Sequence, residues 1–147
     1  MTPDQVAAES LAFWSPKVRL PLHAFALLGN EDGEVGFKLG AVGDRGEAHG
    51  AFQWHAQRAD AMALPAPHGC GIDVRTVGHL DQLAAAYWEM RHGAGYRHVW
   101  EHLMATNDIE DAVAVLVIQY EHSAMQARDI LRRTSYARKW QARFATA

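Results

Sequence analysis

Apolar residues recur at helical spacing along most of the chain and lose that period over one stretch, residues 36–54. Thr2, Pro3 and Gln5 make a helix start: Thr2 can cap, Pro3 suits the first helical position, and Gln5 can close a capping box. This first helix should end near Trp14, before Ser15-Pro16. Pro21 belongs in the first turn of a second helix, expected from about Leu20 to Gly33. Leu22, Phe25, Ala26, Leu27 and Leu28 make it apolar on most sides and therefore buried. From Gly36 to Trp54 glycines and acids mark turns, and Ala41-Val42 and Ala51-Phe52 are read as a small hairpin. A helix to about Leu64 follows, then a loop over Pro65 to Gly71. Thr76 to Met90 reads as helix, with Leu80, Leu83, Ala84, Tyr87 and Trp88 on one face. Tyr96 to Met104 is a shorter one. Asn107-Asp108-Ile109-Glu110 forms a capping box before an apolar run to Ile118. That run is expected as a helix buried all round; a strand is the alternative, since Val and Ile favour strands. Ser123 and Gln126 offer a cap for a last helix to about Phe144. One side of it is basic: Arg128, Arg132, Arg133, Arg138, Lys139 and Arg143.

Composition narrows the class. The chain has 147 residues, 49% hydrophobic and 21% charged, as expected of a single globular domain over 1–147. It contains no repeat and no linker. A net charge of −3 argues against nucleic acid as a partner. Cys70 is the only cysteine, so no intramolecular disulfide contributes. The first ten residues lack the basic region and apolar core of a secretory signal. No apolar run approaches the ~20 residues that cross a bilayer, so membrane insertion is not expected.

The candidate chemistry lies in residues 27–55. Glu34 follows an apolar helix and precedes glycines at 36, 40, 43, 46 and 50. Those glycines permit positive φ and close approach to a ligand. A carboxyl group held among apolar side chains can keep its proton and act as a general acid. Asp44 either makes an Asx-type turn or positions a water molecule. Trp54 either packs in the core or offers a face to sugar C–H groups, and the Gln53 amide supplies a donor and an acceptor. Glu31 and Asp32 are expected to be solvated.

Gly29-Asn30, Glu34 with Gly36-Phe37, Ala41-Val42-Gly43-Asp44 and Gly50-Ala51-Phe52-Gln53-Trp54 stand in order over nearly thirty residues. This pattern resembles the phage tail lysozymes of the lysozyme and lytic transglycosylase superfamily. Tyr120-Glu121 and Arg128 extend the likeness more weakly. The family usually has Ser after its catalytic Glu, where this chain has Val35. The resemblance implies a mainly α, lysozyme-like helical bundle with a small β-hairpin lobe bordering the substrate cleft. It implies cleavage of the β-1,4 bond between N-acetylmuramic acid and N-acetylglucosamine in peptidoglycan. Glu34 would be the acid and Asp44 the second carboxylate, with Asn30, Phe52, Gln53, Trp54 and Tyr120 at the substrate. No metal or cofactor is implied. The partners would be peptidoglycan glycan strands, with phage tail or virion proteins as further candidates. The protein would reside in a phage virion or the host cytoplasm and act in the periplasm or cell wall.

Other readings remain open at this level. The same acid serves a lytic transglycosylase, which leaves an anhydro sugar, although Asp44 favours hydrolysis. His98, Glu101 and His102 fit the HxxEH pattern of a zinc peptidase, with the histidines one helical turn apart. His68 with Cys70 is too small a set for zinc. A non-catalytic wall-binding or virion-assembly module is the third class. Glu121 is expected in an internal salt bridge to Arg128 or a neighbour, and the basic last helix is a candidate wall-binding face.

Overall fold

The computed structural model describes residues 1–37, 42–43 and 48–144; of residues 34, 35, 42, 43 and 48 it describes the backbone alone. Helix α1 (Pro3–Trp14) begins as its sequence dictates. The Thr2 hydroxyl accepts the Gln5 backbone N–H at 3.2 Å, and the Gln5 side-chain Oε1 accepts the Thr2 backbone N–H at 2.8 Å. Its inner face, Val6, Ala7, Ser10 and Trp14, is buried. Trp14 meets Phe13, Tyr87 and Trp100 in an aromatic cluster.

Helix α2 (Pro21–Val35) is the central rod, with every residue from His23 to Glu31 buried. It runs two residues beyond the expected end at Gly33. Gly36 stops it, at φ +58°, with its N–H on the Asp32 carbonyl. Glycine adopts that left-handed conformation without steric penalty, the usual way a helix terminates. At the other end the Leu20 N–H donates to His23 Nδ1 at 3.1 Å, and His23 Nε2–H donates to the Thr106 carbonyl at 3.0 Å. That bonding fixes a neutral ring, and burial holds its pKa below the ordinary histidine value.

Helix α7 (Gln126–Phe144) lies along α2, and two glycines four residues apart allow its close approach. A Cβ on Gly29 would come within 2.7 Å of the Ala137 Cβ, and one on Gly33 within 2.5 Å of the Arg133 Cγ. Helices α4 (His79–His92), α5 (Val99–Met104) and α6 (Ile109–Val115) complete the core with Leu83, Ala86, Met90, Val99, Leu103, Ala112 and Val113.

Three expectations about these helices need correction. Helix α4 starts at His79, not Thr76, and its inward stripe is His79, Gln82, Leu83, Ala86, Glu89 and Met90. Leu80, expected inside, is 51% exposed. The stripe is rotated because three of its inward positions are polar. Asp108, not Asn107, caps α6, its carboxylate accepting the Asp111 N–H at 2.8 Å. The apolar run is helical but not buried all round, for Ile118 is 42% exposed. It ends in a π-helical turn, Leu116–Tyr120, closed by the Glu121 N–H on the Leu116 carbonyl. Such a turn holds one extra residue and is frequent beside functional sites.

Strands β1 (Val42–Gly43), β2 (Ala48–His49) and β3 (Trp54–His55) pair antiparallel in that order, with Val42 opposite His49 and His49 opposite Trp54. Of the pairing expected between Ala41-Val42 and Ala51-Phe52, Ala41 lies outside the described residues, and Val42 pairs with His49 rather than with Ala51 or Phe52. Ala51 and Phe52 instead make the fully buried turn between β2 and β3. Helix α3 (Ala56–Ala63) follows directly and stops before Leu64-Pro65.

Candidate active site

The last turn of α2 leads into the site. Asn30 and Glu34 are four residues apart and so share one face of the helix. Asn30 is fully buried and uses both ends of its amide. Its Nδ2 donates to Glu121 Oε1 at 3.0 Å, and its Oδ1 accepts from Arg133 Nη1 at 2.5 Å. Glu121 and Arg133 then line a polar pocket of about 340 Å3 with Gln53, His55, Arg58, Ser123 and Asp129. Asn30 therefore neither caps the helix nor reaches ligand; it ties α2 to two residues of the pocket wall. Glu34 lies on the last turn of α2, directly after Gly33, which packs on Arg133. The side chain of Glu34, and Asp44 as a whole, lie outside the described residues.

Of the Phe52-Gln53-Trp54 trio only Gln53 borders this pocket. Its backbone sits at φ +50°, a left-handed conformation that an L side chain adopts at a cost. Its Nε2 donates to the Gly50 carbonyl at 2.9 Å. The turn that carries it is anchored from α4: Gln82 Oε1 accepts the Ala51 N–H at 2.7 Å. Gly50 makes this possible, with φ +80° and no Cβ against Gln82. Phe52, Trp54 and Tyr120 are each 0% exposed. The expectation that they touch substrate is corrected: no face of these rings is open, because the inter-helical core has absorbed them.

Trp54, Tyr120 and Tyr96 pack around an ion pair between Arg58, which lines the pocket, and the buried Glu89. Glu89 accepts Arg58 Nη2 at 2.7 Å, Arg58 Nε at 3.1 Å and Trp54 Nε1 at 3.1 Å. Trp54 Nε1 also reaches the Tyr120 hydroxyl at 3.3 Å. The Arg58 guanidinium lies over the rings of Tyr96 and Tyr120, 4.2 and 4.8 Å from their centroids. Burial alone would weaken the hold of Arg58 on its proton, but Glu89 more than reverses this. Burial first, and then Glu89, push the Tyr120 phenol well above its ordinary value.

A second buried cluster joins α1, α2 and α4. The Ser10 hydroxyl donates to Glu31 Oε1 at 2.6 Å. His79 Nε2 lies 2.7 Å from Glu31 Oε2, and His79 Nδ1 lies 2.8 Å from Glu9 Oε1. Both ring nitrogens face carboxylates, which favours the doubly protonated imidazolium. Burial opposes that charge, but Glu31 and then Glu9 outweigh it and raise the His79 pKa. Glu31 is thus buried and paired, not solvated. Asp32 also has partners, accepting Trp140 Nε1 at 2.9 Å and Lys139 Nζ at 3.3 Å.

Glu121 is expected to pair internally, with Arg128 or a neighbour, and Arg128 is found on Asp129, at 3.2 Å. Glu121 holds Asn30. Burial would raise the Asp129 pKa, but hydrogen bonds from Ser123 and Arg128 lower it. The basic side of α7 is largely engaged as well. Arg133 is buried, Lys139 pairs with Asp32 and Arg143 with Asp4.

His98 and His102 stack on the exposed side of α5, with ring centroids 6.2 Å apart. His102 Nδ1 is taken by Gln119 Oε1 at 2.6 Å, and Glu101 lies 3.8 Å from His98. Among the described residues no three His, Cys, Asp or Glu side chains converge as metal ligands. The zinc-peptidase reading therefore lacks its third donor there. Cys70 is half-buried with its Sγ 3.4 Å from the Met62 carbonyl, and burial raises its pKa.

Sequence reasoning missed Arg58, Gln82 and Glu89, which hold the turn and the pocket floor. A signal was present for Gln82 and Glu89: with His79 they fall on one helical stripe with Leu83, Ala86 and Met90, polar groups on an apolar face.

Comparison with curated proteins and with solved structures gave no match. The family model described as phage tail lysozyme matches residues 7–144, a span that takes in most of α1, the turn-rich segment, the polar pocket and α7. The chain belongs to the phage tail lysozyme family.

Proposed function

We propose that this protein is a muramidase that cleaves the β-1,4 linkage between N-acetylmuramic acid and N-acetylglucosamine in peptidoglycan glycan strands. The observation that carries the proposal is the position of Glu34. It stands on the terminal turn of α2, on the face whose other member, Asn30, bonds two residues of the polar pocket wall. A helix C-terminus is the negative end of the dipole, where an acid is favoured in its protonated form. Family membership over residues 7–144 supports the same reading. Glu34 donates a proton to the bridging oxygen while positive charge develops at the anomeric carbon. Asp44 directs the attacking water, and the β1–β2–β3 segment forms the lobe across the cleft. Gln53, held in its strained conformation, is the substrate-facing amide of this segment.

Turbidity clearing of bacteria stripped of their outer membrane tests the proposal. Glu34→Gln removes the proton and keeps the shape, so clearing should fall by about 10²–10⁴-fold. Equal clearing by both chains would remove Glu34 from the mechanism. Mass spectrometry of the digest tests the role of Asp44: hydrolysis leaves reducing sugars, whereas intramolecular attack leaves anhydro sugars lighter by one water.

A further inference from the structure

His98 and His102 belong neither to the polar pocket nor to the core; both are exposed. His98 immediately precedes α5, and His102 lies within it. The His102 backbone N–H donates to the His98 carbonyl at 3.1 Å, so the helical turn already includes His98. A spacing of four then puts both side chains on one face. Their rings are close to parallel, with 26° between the planes. Each ring turns its Nδ1 towards an oxygen. His102 Nδ1 lies 2.6 Å from Gln119 Oε1, an oxygen that only accepts, so the neutral ring carries its proton on Nδ1 and its lone pair on Nε2. His98 Nδ1 lies 3.8 Å from the Glu101 carboxylate. Neither Nε2 has a hydrogen-bond partner among the described residues.

We infer that His98 and His102 chelate a divalent transition cation of the zinc type, each through Nε2, with Gln119 and Glu101 orienting the rings from behind. Two imidazoles four residues apart on one helical face have zinc-binding spacing. A hydrogen bond on the far ring nitrogen fixes the tautomer and makes the near one a better donor, and metal-bound histidines almost always have one. The Glu101 carboxylate adds negative charge beside the site. Imidazole nitrogen selects zinc, nickel or copper over magnesium and calcium, which prefer oxygen. Among the described residues no third His, Cys, Asp or Glu side chain converges with the pair, so water completes the coordination and the site is a binding site, not a peptidase centre. Gln119 lies on the π turn Leu116–Tyr120, so a cation held by His102 also ties α5 to that turn. The site is independent of the glycan-cleaving reading.

Titration of the full chain with zinc chloride, followed by NMR at the histidine imidazoles, tests the site. The His98 and His102 signals should move together and before those of the other seven of the nine histidines. Magnesium or calcium at the same concentration should move neither. His102→Ala should raise the zinc concentration needed at His98 at least about tenfold, because the second donor no longer acts within the same molecule. Gln119→Ala keeps both donors and removes the orienting bond, so it should weaken uptake about tenfold. His98 and His102 are exposed and Gln119 is half-buried, so none of these changes removes a core side chain. A His98 response that is the same with and without His102 would overturn the chelate. So would a response to magnesium equal to that to zinc, or zinc uptake centred on other histidines. Unchanged affinity in Gln119→Ala would overturn the orienting role.

Discussion

Glu31 and Glu89 are both buried carboxylates, one on α2 and one on α4, and each is held by a cation from another helix. Their partners differ in kind. Glu89 is paired with Arg58, whose charge persists at every accessible pH. Glu31 is paired with His79, whose charge does not. The Glu89 pair lies under the polar pocket and fixes α3, β3 and the π turn around it. The Glu31 pair lies one residue after Asn30 on the α2 helix and fixes α1 and α4 to it. The floor of the candidate site thus has a pH-insensitive clamp, and the rear of α2 has a titrating one.

Breaking the permanent pair should do the most damage. Arg58→Met leaves Glu89 buried without its cation, and this should cost about 3–5 kcal/mol in urea denaturation. A loss under about 1 kcal/mol, the range of an exposed pair, would mean that Glu89 is not the buried hub described here.

His79→Gln should instead give a pH-dependent loss. Because the folded pKa of His79 is raised, its stabilisation is fully present below the unfolded value of about 6.5 and disappears as pH rises through the folded value. Melting temperatures of natural chain and variant should therefore differ most in acid and converge in alkali. A constant difference across that range would refute the titrating clamp.

The order of the two carboxylates around His79 gives a finer test. Glu31→Gln should lower the imidazole titration point seen by NMR more than Glu9→Gln does, since Glu31 makes the larger contribution and Glu9 is partly exposed. The smallest effect concerns His23, which is buried neutral with a lowered pKa. Its contribution is present above about pH 6.5 and declines as pH falls toward the folded value. His23→Gln should therefore reduce the acid-side decline in stability and leave the alkaline side, where His79 acts, in place.

Local signals explain which parts of this architecture were legible beforehand. Thr2 with Gln5, the proline at position 21 and the apolar run before Gly29 act over three or four residues, and α1 and α2 formed as read. The phase of α4 was misread because its inward stripe includes His79, Gln82 and Glu89. Their partners, Glu31, Ala51 and Arg58, are brought near only by folding. Nothing within α4 marks these groups as paired. Trp54 failed as a sugar platform for the same reason. Its indole N–H satisfies Glu89, 35 residues later, and this draws the ring inward. Gly36, where α2 ends, and Gly50, in the turn before Gln53, are legible because positive φ leaves a direct mark on residue choice.

The central claim is that a proton on Glu34 drives wall cleavage. The most direct measurement is the clearing rate of outer-membrane-stripped bacteria by natural chain and Glu34→Gln at matched folded concentration. The account predicts clearing by the natural chain and about 10²–10⁴-fold less by the variant. A variant as fast as the natural chain would contradict it.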